Sequence, residues 1–86
     1  MILAKIYITL KNGVLDPQGM AISNSLSHMG FDSIDEVRQG KMIVIKLNID
    51  DKKLAQEQVE SMCKKLLVNN VVENYSFELS ETELVG

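Results

Sequence analysis

A single cysteine, Cys63, leaves this chain with no intramolecular disulfide and no CxxC pair for zinc. A reducing compartment, the cytoplasm, is the expected setting. Histidine is equally scarce. His28 is the one candidate base for a Ser-His-Asp or Cys-His arrangement, and it falls on the polar side of its helix. Cys63 falls on an apolar stripe, where cysteine packs as a small hydrophobe. Positive charge is in deficit: nine Lys and Arg against twelve Asp and Glu give a net charge of −3, which offers nucleic acid no concentrated basic patch. No apolar run approaches the ~20 residues of a membrane span. The opening Met1 to Ile6 is apolar, but Lys5 and Thr9 interrupt the pattern, so it reads as a strand and not as a signal peptide. Gly13 and Gly19 stand apart with no Lys-Ser/Thr behind them, so neither phosphate-loop pattern is met. Asp32, Asp35 and Glu36, and likewise Asp50 and Asp51, sit at element boundaries, where acids act as turns and caps. No catalytic, cofactor-binding or metal-binding residue is expected.

What is present is regular. The 86 residues fit one domain, 1–86. A chain of this size buries roughly 60–65% of its unfolded surface, so partners or self-association often support it. Ile2, Ala4, Ile6, Ile8 and Leu10 alternate as a strand with one buried face. Asp16 caps a helix with Pro17 at its first position; Ala21, Ile22, Ser25, Leu26 and Met29 form its inner stripe, and Gly30 ends it. Residues 34 to 39 read as a short strand. Ile43, Ile45, Leu47 and Ile49 alternate as a third strand. Asp50 or Asp51 then caps a second helix with inner stripe Leu54, Ala55, Val59, Met62, Cys63, Leu66 and Leu67. Tyr75, Phe77 and Leu79 mark the last strand, and residues 80–86 read as a loose acidic tail.

This order, β-α-β-β-α-β, predicts an α+β ferredoxin-like two-layer sandwich: a four-stranded antiparallel sheet with two helices on one face. The opposite face would present Leu3, Tyr7, Met42 and Val44, an apolar patch that no helix covers and a candidate self-association surface. A second irregularity lies around the first helix. Gly19 occupies its third position, where glycine costs up to ~1 kcal/mol against alanine. Either the helix start frays, or another backbone approaches so closely that only glycine fits. Val14 and Leu15, apolar in a loop, either fold onto the core or belong to a docking surface with Gly19.

Val14-Leu15-Asp16-Pro17-Gln18-Gly19, preceded by Leu10-Lys11-Asn12-Gly13, resembles the hallmark segment of the PurS family, the small subunit of phosphoribosylformylglycinamidine (FGAM) synthase. The likeness continues at Val37-Arg38-Gln39-Gly40-Lys41, at Met62 to Leu67 and through Val72 to Tyr75; Asn70 and Asn74 depart from the usual proline and aspartate. The resemblance implies a self-associating subunit, usually a dimer, that joins a large synthetase (PurL) and a glutaminase (PurQ). Their complex uses ATP, Mg and glutamine to convert formylglycinamide ribonucleotide to its amidine in purine biosynthesis. The small subunit holds the catalytic chains together, helps to keep ammonia from solvent and binds no cofactor itself. Carried over residue by residue, the implied subunit contacts are Lys11, Gly13, Leu15, Asp16, Pro17, Gln18, Gly19, Arg38 and Lys41.

The same element order also suits a small-molecule-sensing regulatory domain of the ACT type, for which Gly13 is placed compatibly. An RNA-binding version is disfavoured by the acidic balance and the lack of stacking aromatics on the third strand. An acylphosphatase-like enzyme would need an arginine in a phosphate loop, and residues 11–16 contain none.

Overall fold

The central strand β1 (Ile2–Leu10) follows directly from its alternation, with Ile2, Ala4, Ile6 and Ile8 buried on one face while Lys5 and Thr9 point to solvent. A computed structural model describes residues 1–82. In it β1 pairs antiparallel with β2 (Gly40–Leu47) on one side and with β3 (Glu73–Glu81) on the other, giving the order β2-β1-β3. The register sets Ile6 between Ile43 and Phe77, and Ala4 between Ile45 and Leu79, so one face is apolar across all three strands. Helix α2 (Lys52–Met62) lies on that face and contributes Ala55 and Val59 to the core. Asp51, not Asp50, caps it by accepting from the Lys53 and Leu54 amides.

A predicted fourth strand is missing from the described residues. Residues 34–39 contain only two apolar side chains, Ile34 and Val37, three positions apart, which is not a strand period. The Gln39 amide, moreover, donates to Asp16 and not to a neighbouring strand. The order β2-β1-β3 is that of a ferredoxin-like sheet lacking the outer strand beside β2.

Helix α1 (Pro17–His28) departs further from expectation. Its caps are as the sequence predicts: Asp16 accepts from the Gly19 amide, and Gly30 adopts φ +97°. The Phe31 amide reaches the Leu26 carbonyl and the Gly30 amide that of Ser27, a Schellman closure. Yet Ala21, Ile22, Ser25 and Met29 of its inner stripe are exposed, and the helix does not pack along the sheet. The radius of gyration is 16.7 Å, where a compact chain of this length has about 12 Å. The longest dimension, 48 Å, matches a nine-residue strand of ~30 Å followed by a twelve-residue helix of ~18 Å. α1 thus stands out from the sheet as an arm, and only one helix covers the core.

α2 runs on into a π-helical turn, Cys63–Leu67, closed by the Val68 amide on the Cys63 carbonyl. The wider turn delays the return to the core by one residue, so Val68 is buried while Leu66, predicted inward, is 83% exposed. Leu54 is also exposed. Tyr75 ties β3 to α2 through its hydroxyl, which donates to Glu60 at 2.8 Å. Of the predicted tail, residues 80 and 81 complete β3, and the Thr82 amide bonds the Met1 carbonyl. Residues 83–86 lie outside the described part.

Candidate functional site

The base of the arm is where the sequence-predicted contact residues converge. Residues 11–39 form one excursion between neighbouring strands β1 and β2, whose ends meet at the Thr9–Gly40 pair. Such an excursion needs a fastening, and Asp16 supplies it. Its side chain is 5% exposed; Oδ1 accepts from the Gly19 amide at 2.9 Å and Oδ2 from the Gln39 amide at 2.8 Å. One carboxylate therefore caps α1 and anchors the returning chain. Arg38 adds a second tie, donating to the Val14 carbonyl at 3.2 Å and the Lys11 carbonyl at 3.1 Å. Gln39 also donates to the Gln18 side chain.

Gly19 explains itself within this clasp. A β-carbon there would lie 2.5 Å from the Val37 carbonyl oxygen and 2.6 Å from Asp16 Oδ2. The backbone that approaches belongs to the same chain. Gly13, at φ +86°, makes the turn that leads into the clasp, and Leu15 stays exposed beside it. Lys41 extends from the sheet's inner face and pairs with Glu73 at 3.6 Å, both partly open to water. Pro17 begins α1.

Two open clefts flank this base. One, of about 200 Å³, is lined by Asp16, Gln18, Gln39, Lys41 and Glu73 among others; the other, of about 430 Å³, runs between Leu15, Met20, Asp35 and Arg38. The first is smaller than the ~300 Å³ where ligand pockets usually begin. Among the described residues no group of three His, Cys, Asp or Glu side chains is placed to hold a metal ion. His28 is exposed at the end of α1, and burial pushes the Cys63 thiol up. The remaining predicted set, Leu3, Tyr7, Met42 and Val44, does share the sheet face opposite α2, with Tyr7 paired directly to Met42. On β3 that face turns polar, with Ser76 and Glu78, and the Tyr7 hydroxyl reaches Glu78 at 3.4 Å. Gln39, Val37 and Glu73 lie in the segments that carry the resemblance but are not among the contact residues it implies. Nothing in local periodicity marks a residue whose partner lies 18 or more positions away.

The two amide bonds, first Gln39 and then Gly19, hold the Asp16 carboxyl below the usual carboxylate range, with Arg38 adding to the effect. A carboxyl whose folded pKa is lowered stabilises the fold above its unfolded value of about 3.9, and that contribution disappears as pH falls through the folded value. Asparagine offers one acceptor oxygen where two are used. Wild type should therefore melt above Asp16→Asn at neutral pH, and the two melting curves should converge below about pH 4. A gap that stays constant from pH 7 to pH 2.5 would contradict this role.

The chain matches the family model for PurS, phosphoribosylformylglycinamidine (FGAM) synthase, over residues 3–81. Over 79 residues it is 43% identical to the phosphoribosylformylglycinamidine synthase subunit PurS of Synechocystis, covering 92% of this chain and 79% of that protein. It is similar to the crystal structure of Methanocaldococcus jannaschii PurS, with a TM-score of 0.86 and 40% identity over 96% of this chain and 100% of that one. That protein is one of the subunits of formylglycinamide ribonucleotide amidotransferase in the purine biosynthetic pathway. A chain of the Thermotoga maritima PurLQS structure is similar too, with a TM-score of 0.81 and 28% identity over 93% of this chain and 99% of that one. These likenesses favour the synthase-subunit expectation over the ligand-sensing one.

Proposed function

The chain belongs to the PurS family of FGAM synthase, and from that premise we propose that it works as a connector between the catalytic chains of the complex. It is a subunit of phosphoribosylformylglycinamidine synthase in purine biosynthesis. Its partners are a PurL-type synthetase and a PurQ-type glutaminase, which handle ATP, magnesium and glutamine while this chain binds none of them. Its surface helps to keep ammonia away from bulk solvent between the two. The complex is cytoplasmic; no helix of the described residues is long and apolar enough to cross a membrane. The chain self-associates, and the outer sheet patch of Leu3, Tyr7, Met42 and Val44 offers one contact for doing so.

The observation that carries this reading is the clasped base of the arm. It presents Lys11, Gly13, Leu15, Gln18, Arg38 and Lys41 on a backbone held by five hydrogen bonds, those of Asp16, Arg38 and Gln39. A surface that is ordered before binding loses less entropy when it docks. Arg38→Glu and Gln18→Ala, both with native circular dichroism, should weaken co-purification with synthetase and glutaminase and lower glutamine-dependent turnover by tenfold or more. Intact assembly and turnover in both variants would remove these residues from the contact.

A further inference from the structure

We propose that Asn12 is a self-modifying residue of the unassembled chain: the Gly13 backbone nitrogen displaces its side-chain amide, and the isoaspartate that results opens the clasp at the base of the arm. The proposal rests on the contact surface put forward above only for its effect on assembly.

Asparagine is chemically labile, and the residue that follows it decides how labile. Its side-chain carbonyl lies within reach of the next backbone nitrogen, and the two can close a five-membered ring. Glycine, with no β-carbon, leaves that nitrogen open to approach. Of the asparagines in the chain only Asn12 precedes a glycine. The step needs no reagent but water. The Gly13 nitrogen bonds to Cγ of Asn12, the Cγ–Nδ2 bond breaks, and ammonia leaves with the proton of the Gly13 amide. Water then opens the succinimide. Opening at Cγ restores an ordinary backbone with aspartate at position 12. Opening at the main-chain carbonyl leaves the chain running through the side chain, as isoaspartate.

The fold leaves these atoms ready. The Val14 amide donates to the Lys11 carbonyl at 3.2 Å, with Gly13 at φ +86° and Asn12 on the negative side, which is a type II turn. Asn12 and Gly13 are both exposed. Among the described residues the Gly13 amide has no hydrogen-bond partner, and nothing lies within 4 Å of the place a β-carbon would take there. Glycine also accepts the type I form of the turn, so the central peptide can rotate and bring its nitrogen toward Cγ. The other asparagines are restrained. Asn24 lies within α1 and Asn74 within β3, where a hydrogen-bonded backbone resists that rotation. Asn69 holds its Oδ1 on the Val71 amide, which occupies the nitrogen that Asn70 would need. Asn48 precedes Ile49, whose branched side chain crowds the attacking nitrogen.

This turn is one jaw of the clasp. Arg38 spans its ends, donating to the Lys11 carbonyl at 3.1 Å and to the Val14 carbonyl at 3.2 Å. Isoaspartate inserts a further C–C bond, about 1.5 Å, between those two carbonyls. Both bonds already stand at the long end of the ordinary range, so the guanidinium loses one carbonyl or the other. Docking through the same turn covers Asn12, and the chain that ages is the one left without partners.

The test incubates the full chain at physiological temperature and neutral pH and follows every asparagine by peptide mass mapping, with an isoaspartyl methyltransferase marking the rearranged product. Asn12 should convert at least tenfold faster than any other asparagine. The isoaspartate fraction, isolated by ion exchange, should melt about 5 °C below the fresh chain, the shift expected for one lost hydrogen bond. Asn12→Ser aged in parallel should keep its melting temperature. Co-purification of the aged mixture with synthetase and glutaminase should leave isoaspartate chains behind by fivefold or more, and Asn12 should convert at least fivefold more slowly in the assembled complex. Conversion at Asn12 no faster than elsewhere overturns the proposal, as does an isoaspartate fraction that melts with the fresh chain. Equal assembly of aged and fresh chains, or equal conversion in the free and assembled chain, overturns the effect on assembly. A fresh chain that binds neither partner removes the connector reading alone, because conversion and melting still decide whether the clasp ages.

Discussion

Gly19→Val is expected to lower the melting temperature by about 10 °C or more and to abolish assembly with the synthetase and glutaminase. Two effects oppose each other at this position. Removing glycine from a helix normally gains up to about 1 kcal/mol, because the unfolded chain loses freedom. Against that, the new β-carbon would stand 2.5 Å from a backbone oxygen, that of Val37, which cannot rotate away as a flexible side chain would. Overpacking of this kind costs roughly 1–3 kcal/mol. The only relief is to move residues 37–39, which breaks the Gln39 bond to Asp16 and draws Arg38 from its two carbonyls. Sterics win, and the clasp opens with them. A thermal melt alongside co-purification decides the matter; a variant that melts at or above the wild type would show that the contact yields easily.

Ile6→Ala should cost more. Ile6 is wholly buried at the middle of β1, between Ile43 and Phe77 in the register. Truncating such a side chain costs about 2–5 kcal/mol through lost transfer energy and the cavity left behind. On a domain of this size that is a fall of roughly 10–25 °C. Total stabilities run at about 5–15 kcal/mol, and a core covered by a single helix has little reserve. The informative comparison is Leu66→Ala, which removes a similar volume from a position the sequence also marks as inward. Its side chain is 83% exposed, so the change should stay within about 0.5 kcal/mol. Denaturant melts of the two variants side by side test the contrast. Equal losses would mean that the π-helical turn does not divert Leu66 to solvent.

Residue by residue, the legible parts were those that a few neighbours decide. β1 is readable because Ile2, Ala4, Ile6 and Ile8 alternate without exception. The start of α1 is readable because Asp16-Pro17 satisfies its first amides, and its end because Gly30 alone accepts the left-handed turn. The run Val14 to Gly19 sufficed for the family, which the match over residues 3–81 bears out. The place of Gly19 as a close-approach glycine was also open to reading, as one of two alternatives. What approaches it was not, since Val37 lies 18 positions further along.

The same boundary divides the errors. Local composition at residues 34–39 suggests a strand, but Asp16, 23 positions earlier, captures the Gln39 amide. α1 has a proper inner stripe, yet nothing in that stripe says whose core it serves. Leu66 has helical spacing, and one wider turn moved it outward.

By itself, then, the sequence determined the strands with a strict alternation, the two caps of α1, and the family. Those features depend on side-chain type and on separations of one to five residues, which a linear chain displays directly. Only the tertiary structure decided that the sheet has three strands in the described residues, that Asp16 and Arg38 close a clasp, and that α1 leaves its own sheet bare. Each of those depends on groups brought together from opposite ends of a long excursion. Their hydrogen bonds and clashes exist only once the chain has closed on itself.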